Sequence, residues 1–522
     1  MDSIISLIGS IFKVIIYASS IISISVLIYY FVIALFGFYR KEDKKYSEDK
    51  DKTFALVVAA HNEEVVIEQI VESLKHLDYK KELYDIFVIA DNCTDSTAEI
   101  ARNAGALVCE RFDTKKRGKG YALEWMFDKI FKMEKKYDAV VVFDADNLAS
   151  ENFLRAMSNK LNEGYKVVQG YLDSKNPHDS WITEAYSIAF WSNNRMFQLA
   201  RNNLGLSNQI GGTGFCIDTE TLRELGWGAT CLTEDLEFTC KLVMNGHRVG
   251  WAHDAVIYDE KPLTLKQSWN QRKRWMQGFA DVASRYFTKL LKKAFREKSW
   301  RVFDCALYTI QPYITIIAGI AVIFTSIYGL TKIETAFTYM QKFFNDHTGL
   351  MLLFQIVAIV QFLITPVVIL IEKKISKWLV IYFAVYSSNI IISASLYKYL
   401  RDVIFDKKWL GAHGIDAQTI KTILGNGLKG DPNEHGLVPI IVPILVGTWG
   451  LLFLIGIILL IYAIHKKNLV KQFIWYILYS IYVLTWFPIT IQAVLNKNNK
   501  EWSHTKHTRG ISMKELNKKS VA

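Results

Sequence analysis

Six stretches of this chain are apolar and uncharged, and each is close to or longer than the roughly 20 helical residues that a bilayer core requires. They are Val14–Tyr39, Cys305–Thr331, Thr348–Ile371, Trp378–Tyr397, Leu437–Ile464 and Phe473–Leu495. With 51% hydrophobic residues over 522 positions, the pattern describes a protein shared between membrane and water. The first run lacks a short apolar core and a small-residue cleavage site, so residues 1–40 are expected to stay in place as a membrane helix. Arg40-Lys41 and Lys44-Lys45 follow it. By the positive-inside rule the next region is expected in the cytosol. Simple alternation across the five later runs then leaves the basic tail outside, against the same rule. One run is therefore expected not to cross. Trp378–Tyr397 is the candidate, because Ser387, Ser388, Asn389, Ser393 and Ser395 make it the most polar.

Charge and cysteine usage narrow the class further. The net charge of +11 gathers beside apolar runs, at Arg40–Lys45, Lys289–Arg301, Glu372–Lys377 and Lys497–Lys519. Membrane lipid headgroups explain that placement better than nucleic acid, and no nucleic-acid partner is expected. The six cysteines form no C-x-x-C pair. Reduced thiols on a cytosolic face fit them better than a disulfide framework or a zinc site.

Residues 52–265 read as a soluble α/β domain. Thr53–Ala60, Asp85–Ala90 and Ala139–Phe143 are short β-branched runs ending in polar residues. Such runs suit buried parallel strands. Glu63–Leu77 lies between the first two at helical spacing, which makes a βαβ unit of a doubly wound sheet. Ligands of such sheets sit at the carboxyl ends of the strands. His61-Asn62-Glu63, Asp91-Asn92 and Asp144-Ala-Asp146 fall there. Asp144 and Asp146 are one residue apart beyond a strand, which points to an oxygen-held divalent ion, Mg²⁺ or Mn²⁺, of the kind that bridges substrate phosphates. Asp95 or Ser96 is placed to cap the next helix.

Residues 266–302 mix Trp, Phe and Leu with Lys and Arg, as an amphipathic helix on a membrane surface does. Within them, Gln271, Arg274 and Trp275 stand at i, i+3 and i+4, on one helical face. Arg274 suits an anion clamp, and Trp275 offers a flat apolar platform. Thr233-Glu234-Asp235 opens a helical run, where Thr233 suits an N-cap and the acids suit the first turn. Residues 303–496 are expected to supply membrane helices and 497–522 a basic tail.

The order of these features, an acidic pair, then Thr233-Glu234-Asp235, then Q-x-x-R-W, resembles the processive family 2 membrane glycosyltransferases. Cellulose, mixed-linkage β-glucan, hyaluronan and poly-N-acetylglucosamine synthases belong there. The resemblance implies a GT-A-like α/β nucleotide-sugar-binding domain inserted between α-helical transmembrane segments, in the plasma membrane, with the catalytic domain cytosolic. It implies that Asp235 is the general base, with Glu234 and Thr233 beside it. It implies that Asn62, Glu63, Asp91, Lys119, Asp144, Asp146 and Arg274 bind a UDP-sugar donor. Gly212, Thr213, Gly214, Gln271 and Trp275 would bind the growing polysaccharide. The family more often shows two consecutive acids at Asp91-Asn92, and a tyrosine where His61 stands. Related synthases also carry a gating segment near the C-terminus, to which Trp502, Thr505 and Arg509 correspond. A basic tail resting on lipid headgroups is the other reading of that segment.

The implied reaction is processive, inverting transfer of glucose from UDP-glucose to a β-glucan that leaves through the membrane helices. UDP-N-acetylglucosamine as donor, or transfer of a single sugar to a lipid, are the alternatives. A transporter with a degenerate cytosolic domain is disfavoured by the intact acids at Asp144, Asp146 and Asp235.

Overall fold

The computed structural model describes residues 2–47, 50–229, 231–330, 364–375, 467–498, 507 and 509–516, with isolated positions in 451–458. The chain divides into two compact units, Met1–Leu353 with Leu478–Ala522, and Phe354–Ile477. In the second unit, residues 364–371 form a helix that terminates through a left-handed Lys373 (φ 58°). The Lys374 N–H returns to the Ile369 carbonyl at 3.0 Å.

The first unit is built on one eight-stranded sheet in the order β3-β2-β1-β4-β7-β6-β8-β5. Its strands are β1 (Phe54–Ala60), β2 (Tyr84–Asp91), β3 (Leu107–Arg111), β4 (Ala139–Asp144), β5 (Leu148–Ala149), β6 (Val167–Ser174), β7 (Phe215–Asp218) and β8 (Val249–Asp259). The three runs expected as parallel strands are β1, β2 and β4, and they pair in parallel. The other half differs from a uniform doubly wound sheet: β7 runs antiparallel to both β4 and β6.

Helices cover both faces. Phe54, Leu56 and Val58 of β1 point into one core, and Ala55 and Val57 point into the other. That period of two, with both faces buried, is why the strand reads as an unbroken apolar run. α1 (Asp2–Leu35) precedes the sheet and packs on other helices, and the helices around the sheet are α2 (Ile67–Lys75), α3 (Thr97–Asn103), α4 (Lys119–Lys132), α5 (Phe153–Asn162), α6 (Trp181–Asn193), α7 (Ala200–Asn203), α8 (Thr219–Leu225) and α9 (Glu234–Met244). A π-helical turn over Asn194–Leu199 joins α6 to α7.

Beyond the sheet, α10 (Leu265–Glu297) begins with a capping box between Thr264 and Gln267 and ends at a left-handed Lys298. There follow α11 (Trp300–Thr309), α12 (Gln311–Leu330), α13 (Lys467–Leu484) and α14 (Trp486–Leu495). The run expected as one span from Cys305 is broken, because α11 and α12 meet at 63°. Pro312 has no N–H to donate and its ring obstructs the preceding turn, so the helix restarts there. Pro488 accounts in the same way for the break at Thr485 between α13 and α14.

Among the described residues, Ile21–Phe38 and Ile474–Leu495 are long and apolar enough to cross a membrane, and the bent pair α11–α12 makes a third if it counts as one span. The expected runs Trp378–Tyr397 and most of Leu437–Ile464 lie outside the described residues, as does Thr348–Ile371 up to residue 363. The end of α1 is fastened to the soluble domain. The Asn203 side chain donates to the Phe36 and Tyr39 carbonyls at 2.9 and 2.7 Å. Arg201 and Tyr29 share Asp304, with Arg201 Nε at 2.8 Å from Oδ2 and the Tyr29 hydroxyl at 2.8 Å from Oδ1.

Candidate active site

A cavity of about 1470 Å³ opens at the carboxyl ends of β1, β2 and β4 and continues to α12 and α14. It is lined at one end by Glu63, Asp91, Lys119, Asp144 and Asp146, in the middle by Asp235, Arg274 and Trp275, and at the other end by Ile323, Leu484 and Phe487.

The polar end is assembled from strand termini. After β1, Asn62 adopts a left-handed φ of 55°, and its Oδ1 accepts from the Thr94 N–H at 2.8 Å. Asn62 is thus a joint between two turns and lies outside the cavity lining. Asp91 lines the cavity but already holds Arg111, with Nη1 at 2.5 Å from Oδ1. The expected cap of α3 comes from Asp95: its Oδ1 accepts from the Thr97 N–H at 3.0 Å, whereas Ser96 makes no side-chain cap bond.

Asp144 ends β4 with its side chain about 40% exposed toward the cavity, and it pairs with Lys119. Lys119 also donates to the Gly212 carbonyl at 2.7 Å. Burial raises the Asp144 carboxyl above its ordinary range, Lys119 opposes the rise, and Asp146 adds to it. Burial works against the charge of Asp146 too, but His507 and Lys175 outweigh it and hold that carboxyl low. The Glu260 N–H donates to Asp146 Oδ2 at 3.0 Å.

Among the described residues, no group of three or more His, Cys, Asp or Glu side chains is arranged to hold a metal ion. Two carboxylates one residue apart, with Asp146 adding to the cost of ionising Asp144, nevertheless fit a divalent cation whose remaining ligands are phosphate oxygens. Asp144 and Asp146 are the residues that would hold it.

The middle of the cavity belongs to the start of α9. Thr233 stands at the N-cap, but its side chain makes no cap bond, contrary to expectation. It is packed instead against Gly278 of α10, where any Cβ would collide with it. Burial and the neighbouring Glu234 push Asp235 up to about 7. Its Oδ1 accepts from the Leu236 N–H at 2.8 Å. Gly212, at φ +82°, keeps the facing wall open: a Cβ there would lie 3.5 Å from Asp235 Oδ2. Thr213 also lines the cavity, whereas Gly214 does not. A Cβ at Gly214 would come within 2.5 Å of Ile257, so this glycine answers to packing. Arg285 of α10 pairs with Glu237 of α9 and ties the two helices together.

Gln271, Arg274 and Trp275 all face the cavity from α10. The Tyr186 hydroxyl donates to Gln271 Oε1 at 2.9 Å. Trp275 packs edge-on to Tyr186 at 6.2 Å and against Phe190 at 6.4 Å between ring centroids. Burial pulls Arg274 below its ordinary range, opposed by Glu234 and Asp144, but a guanidinium keeps its charge at neutral pH.

The tail lies on the same domain. Trp502 and Thr505 fall outside the described residues. Arg509 does not line the cavity; it pairs with Asp179 at 2.6 Å, and its N–H donates to Glu260 Oε2 at 3.2 Å. His507 does enter, with Nδ1 at 3.0 and 3.1 Å from the Glu63 oxygens and Nε2 3.7 Å from Asp146 Oδ2. Burial disfavours its charge, but Asp146 and Glu63 outweigh that and push it up to about 10. Sequence reasoning missed His507, Tyr186 and Phe190. The only signal for His507 was its place in a polar tail already expected to reach the nucleotide. Nothing local distinguishes Tyr186 or Phe190 from core aromatics.

Residues 51–278 match the family described as "Glycosyltransferase like family 2". That segment holds the whole eight-stranded α/β sheet and the first part of α10. Similar curated proteins include the probable glycosyltransferase YdaM of Bacillus subtilis, 26% identical over 338 residues, 62% of this chain and 74% of that protein. The β-monoglucosyldiacylglycerol synthase of Nostoc sp. is 28% identical over 274 residues, 51% of this chain and 57% of that one. The poly-β-1,6-N-acetyl-D-glucosamine synthase of Staphylococcus aureus is 25% identical over 278 residues, 50% of this chain and 65% of that one. The match thus spans less than two thirds of the last two relatives. Among solved structures, the mannosyltransferase PcManGT from Pyrobaculum calidifontis, in complex with GDP-Man and Mn²⁺, is 18% identical. It covers 65% of this chain and 92% of that one, with a TM-score of 0.47.

Proposed function

We propose that the protein transfers glucose from UDP-glucose, with inversion, to the end of a growing β-glucan, and repeats the step. The observation that supports this reading is the single cavity running from strand-end carboxylates, past Asp235 and Trp275, to membrane-type helices. The catalytic domain would face the cytosol in a multi-pass plasma-membrane protein, because Arg40–Lys45 follows the first span.

In this reading Glu63, Asp91, Lys119 and Arg274 bind the nucleotide diphosphate end, with Asp144 and Asp146 toward the metal. A bound Mg²⁺ or Mn²⁺ supplies charge neutralisation at the leaving diphosphate. The acceptor ring rests on Trp275, with Gln271, Gly212 and Thr213 around it. Asp235 takes the proton from the acceptor hydroxyl as that oxygen attacks the anomeric carbon. A base pushed up to about 7 is matched to that task near neutral pH. Trp502, Thr505 and Arg509, with His507, form the segment that closes over the donor and excludes water.

A second reading, one sugar transferred to a lipid, is favoured by one feature. The far end of the cavity is apolar, with Ile323, Leu484 and Phe487 in its wall. Purified protein in lipid, supplied with labelled UDP-glucose or UDP-N-acetylglucosamine and a divalent ion, separates the readings. A high-molecular-weight β-linked glucan supports the first. A single labelled glycolipid replaces it with the second. Full activity in excess chelator would remove the metal from either.

A further inference from the structure

The geometry points to Asp259 as the residue that takes a hydroxyl of the transferring sugar, with Lys261 positioning it. This assignment rests on the donor reading above and extends it to the sugar itself.

Asp259 closes β8, and its side chain, about 20% exposed, reaches the cavity. On one side lies the diphosphate end, since the N–H of the next residue, Glu260, holds Asp146. On the other lies the aromatic platform. Lys261, 2% exposed, sets its Nζ 3.4 Å from the Phe190 ring centroid, and Phe190 packs on Trp275. The ring being transferred must sit between the leaving diphosphate and the acceptor, and Asp259 lies between those two ends.

Half of its hydrogen-bonding capacity is unspent. Lys261 Nζ pairs with Asp259 Oδ1 at 2.6 Å, which leaves Oδ2 for another donor. A carboxylate oxygen left over in this way beside a cavity is poised for an incoming donor. A sugar hydroxyl supplies one. The backbone is held for it: Asn176 bonds both the N–H and the carbonyl of Lys261, at 2.8 and 2.9 Å, and the Lys175 N–H bonds the Asp259 carbonyl at 2.8 Å. The buried Lys261 ammonium keeps the carboxylate in place.

The test compares binding of UDP, UDP-glucose and the 3-, 4- and 6-deoxy analogues of UDP-glucose by calorimetry on the full chain in lipid. Asp259→Asn is expected to bind UDP as wild type does and UDP-glucose about tenfold more weakly, the cost of one charge-assisted hydrogen bond. Wild type should lose about the same factor on one deoxy analogue, and the variant should not lose it again on that analogue. Lys261→Met, with Asp259 intact, should show a smaller loss on UDP-glucose and none on UDP. Unchanged UDP-glucose affinity in Asp259→Asn, or equal deoxy losses in both proteins, overturns the assignment. Wild type that binds no UDP overturns the donor reading, and this assignment falls with it.

Discussion

The two ends of the cavity are held by opposite means. The polar end is made from strand termini, and its carboxylates are each answered by a named cation: Asp91 by Arg111, Asp144 by Lys119, and both Glu63 and Asp146 by His507. The other end is made from helices, and Arg272 beside it is a buried cation with no carboxylate partner among the described residues. Arg272 is fully buried between α10 and the α13–α14 break, over the Tyr482 ring at 4.2 Å and bonded to Thr485 Oγ1 at 2.8 Å. Charge organises the first region, while aromatic packing with a few neutral acceptors organises the second. A reaction that needs ions at one end and a sugar or lipid at the other requires that division.

The largest effect separates chemistry from binding. Asp235→Asn keeps the shape of the middle section and removes proton acceptance. Transfer is expected to fall by about 10² to 10⁴, with UDP affinity measured by calorimetry unchanged. Turnover near that of wild type would move the base elsewhere. Next comes the platform. Trp275→Ala is expected to lower transfer about a hundredfold through a misplaced acceptor. UDP affinity should hold, because Trp275 packs on Tyr186 and Phe190 and makes no ion pair of the polar end. Parallel losses of UDP binding in this variant would show that the two ends are not independent.

The acid limb of the pH profile gives a smaller, graded effect. Asp235 is pushed up to about 7, first by burial and then by Glu234, with Lys119 opposing. Arg274 from α10 and Tyr308 from α11 also face it. A base must be deprotonated to act, so activity is full above pH 7 and falls as pH drops through it. The loss should approach tenfold for each further unit below about pH 6. A flat profile from pH 5 to 8 would break the assignment.

The contrast between the ends also explains what could be read from the chain. The strands β1, β2 and β4 were legible because burial on both faces leaves an unbroken apolar signature, and their polar ends mark the ligand side. Asp144, Asp146 and Asp235 were visible as acids at strand and helix ends. Gln271, Arg274 and Trp275 share a face by helical spacing alone. His507 was not legible, since it meets Glu63 across 444 positions of sequence. The joint between Asn62 and Thr94 was not legible, because a polar residue after a strand can serve a turn as readily as a ligand, and its left-handed backbone is not written in its type. The antiparallel β7 was missed because four residues give too short a period to count. The bend at Ile310 was signalled by Pro312 but hidden within an unbroken apolar run.

The smallest expected effect is at the end made from helices. Thr485→Val preserves shape and removes one hydrogen bond to the buried Arg272 guanidinium. The Tyr482 carbonyl, 3.4 Å from Nη1, is then left as that nitrogen's weaker partner, while Arg272 Nη2 already lacks one. A hydrogen bond to a charged group is worth about 1.5–3 kcal/mol, so the unfolding temperature in lipid or detergent should fall. UDP affinity should not change, because among the described residues no ion pair of the polar end involves α13 or α14. Weaker UDP binding in this variant would mean that the helix break reaches the nucleotide through α10, on which Arg272 and Arg274 stand two residues apart. A lowered unfolding temperature with unchanged UDP affinity would instead show that the acceptor end can be loosened alone, as separate means of support require.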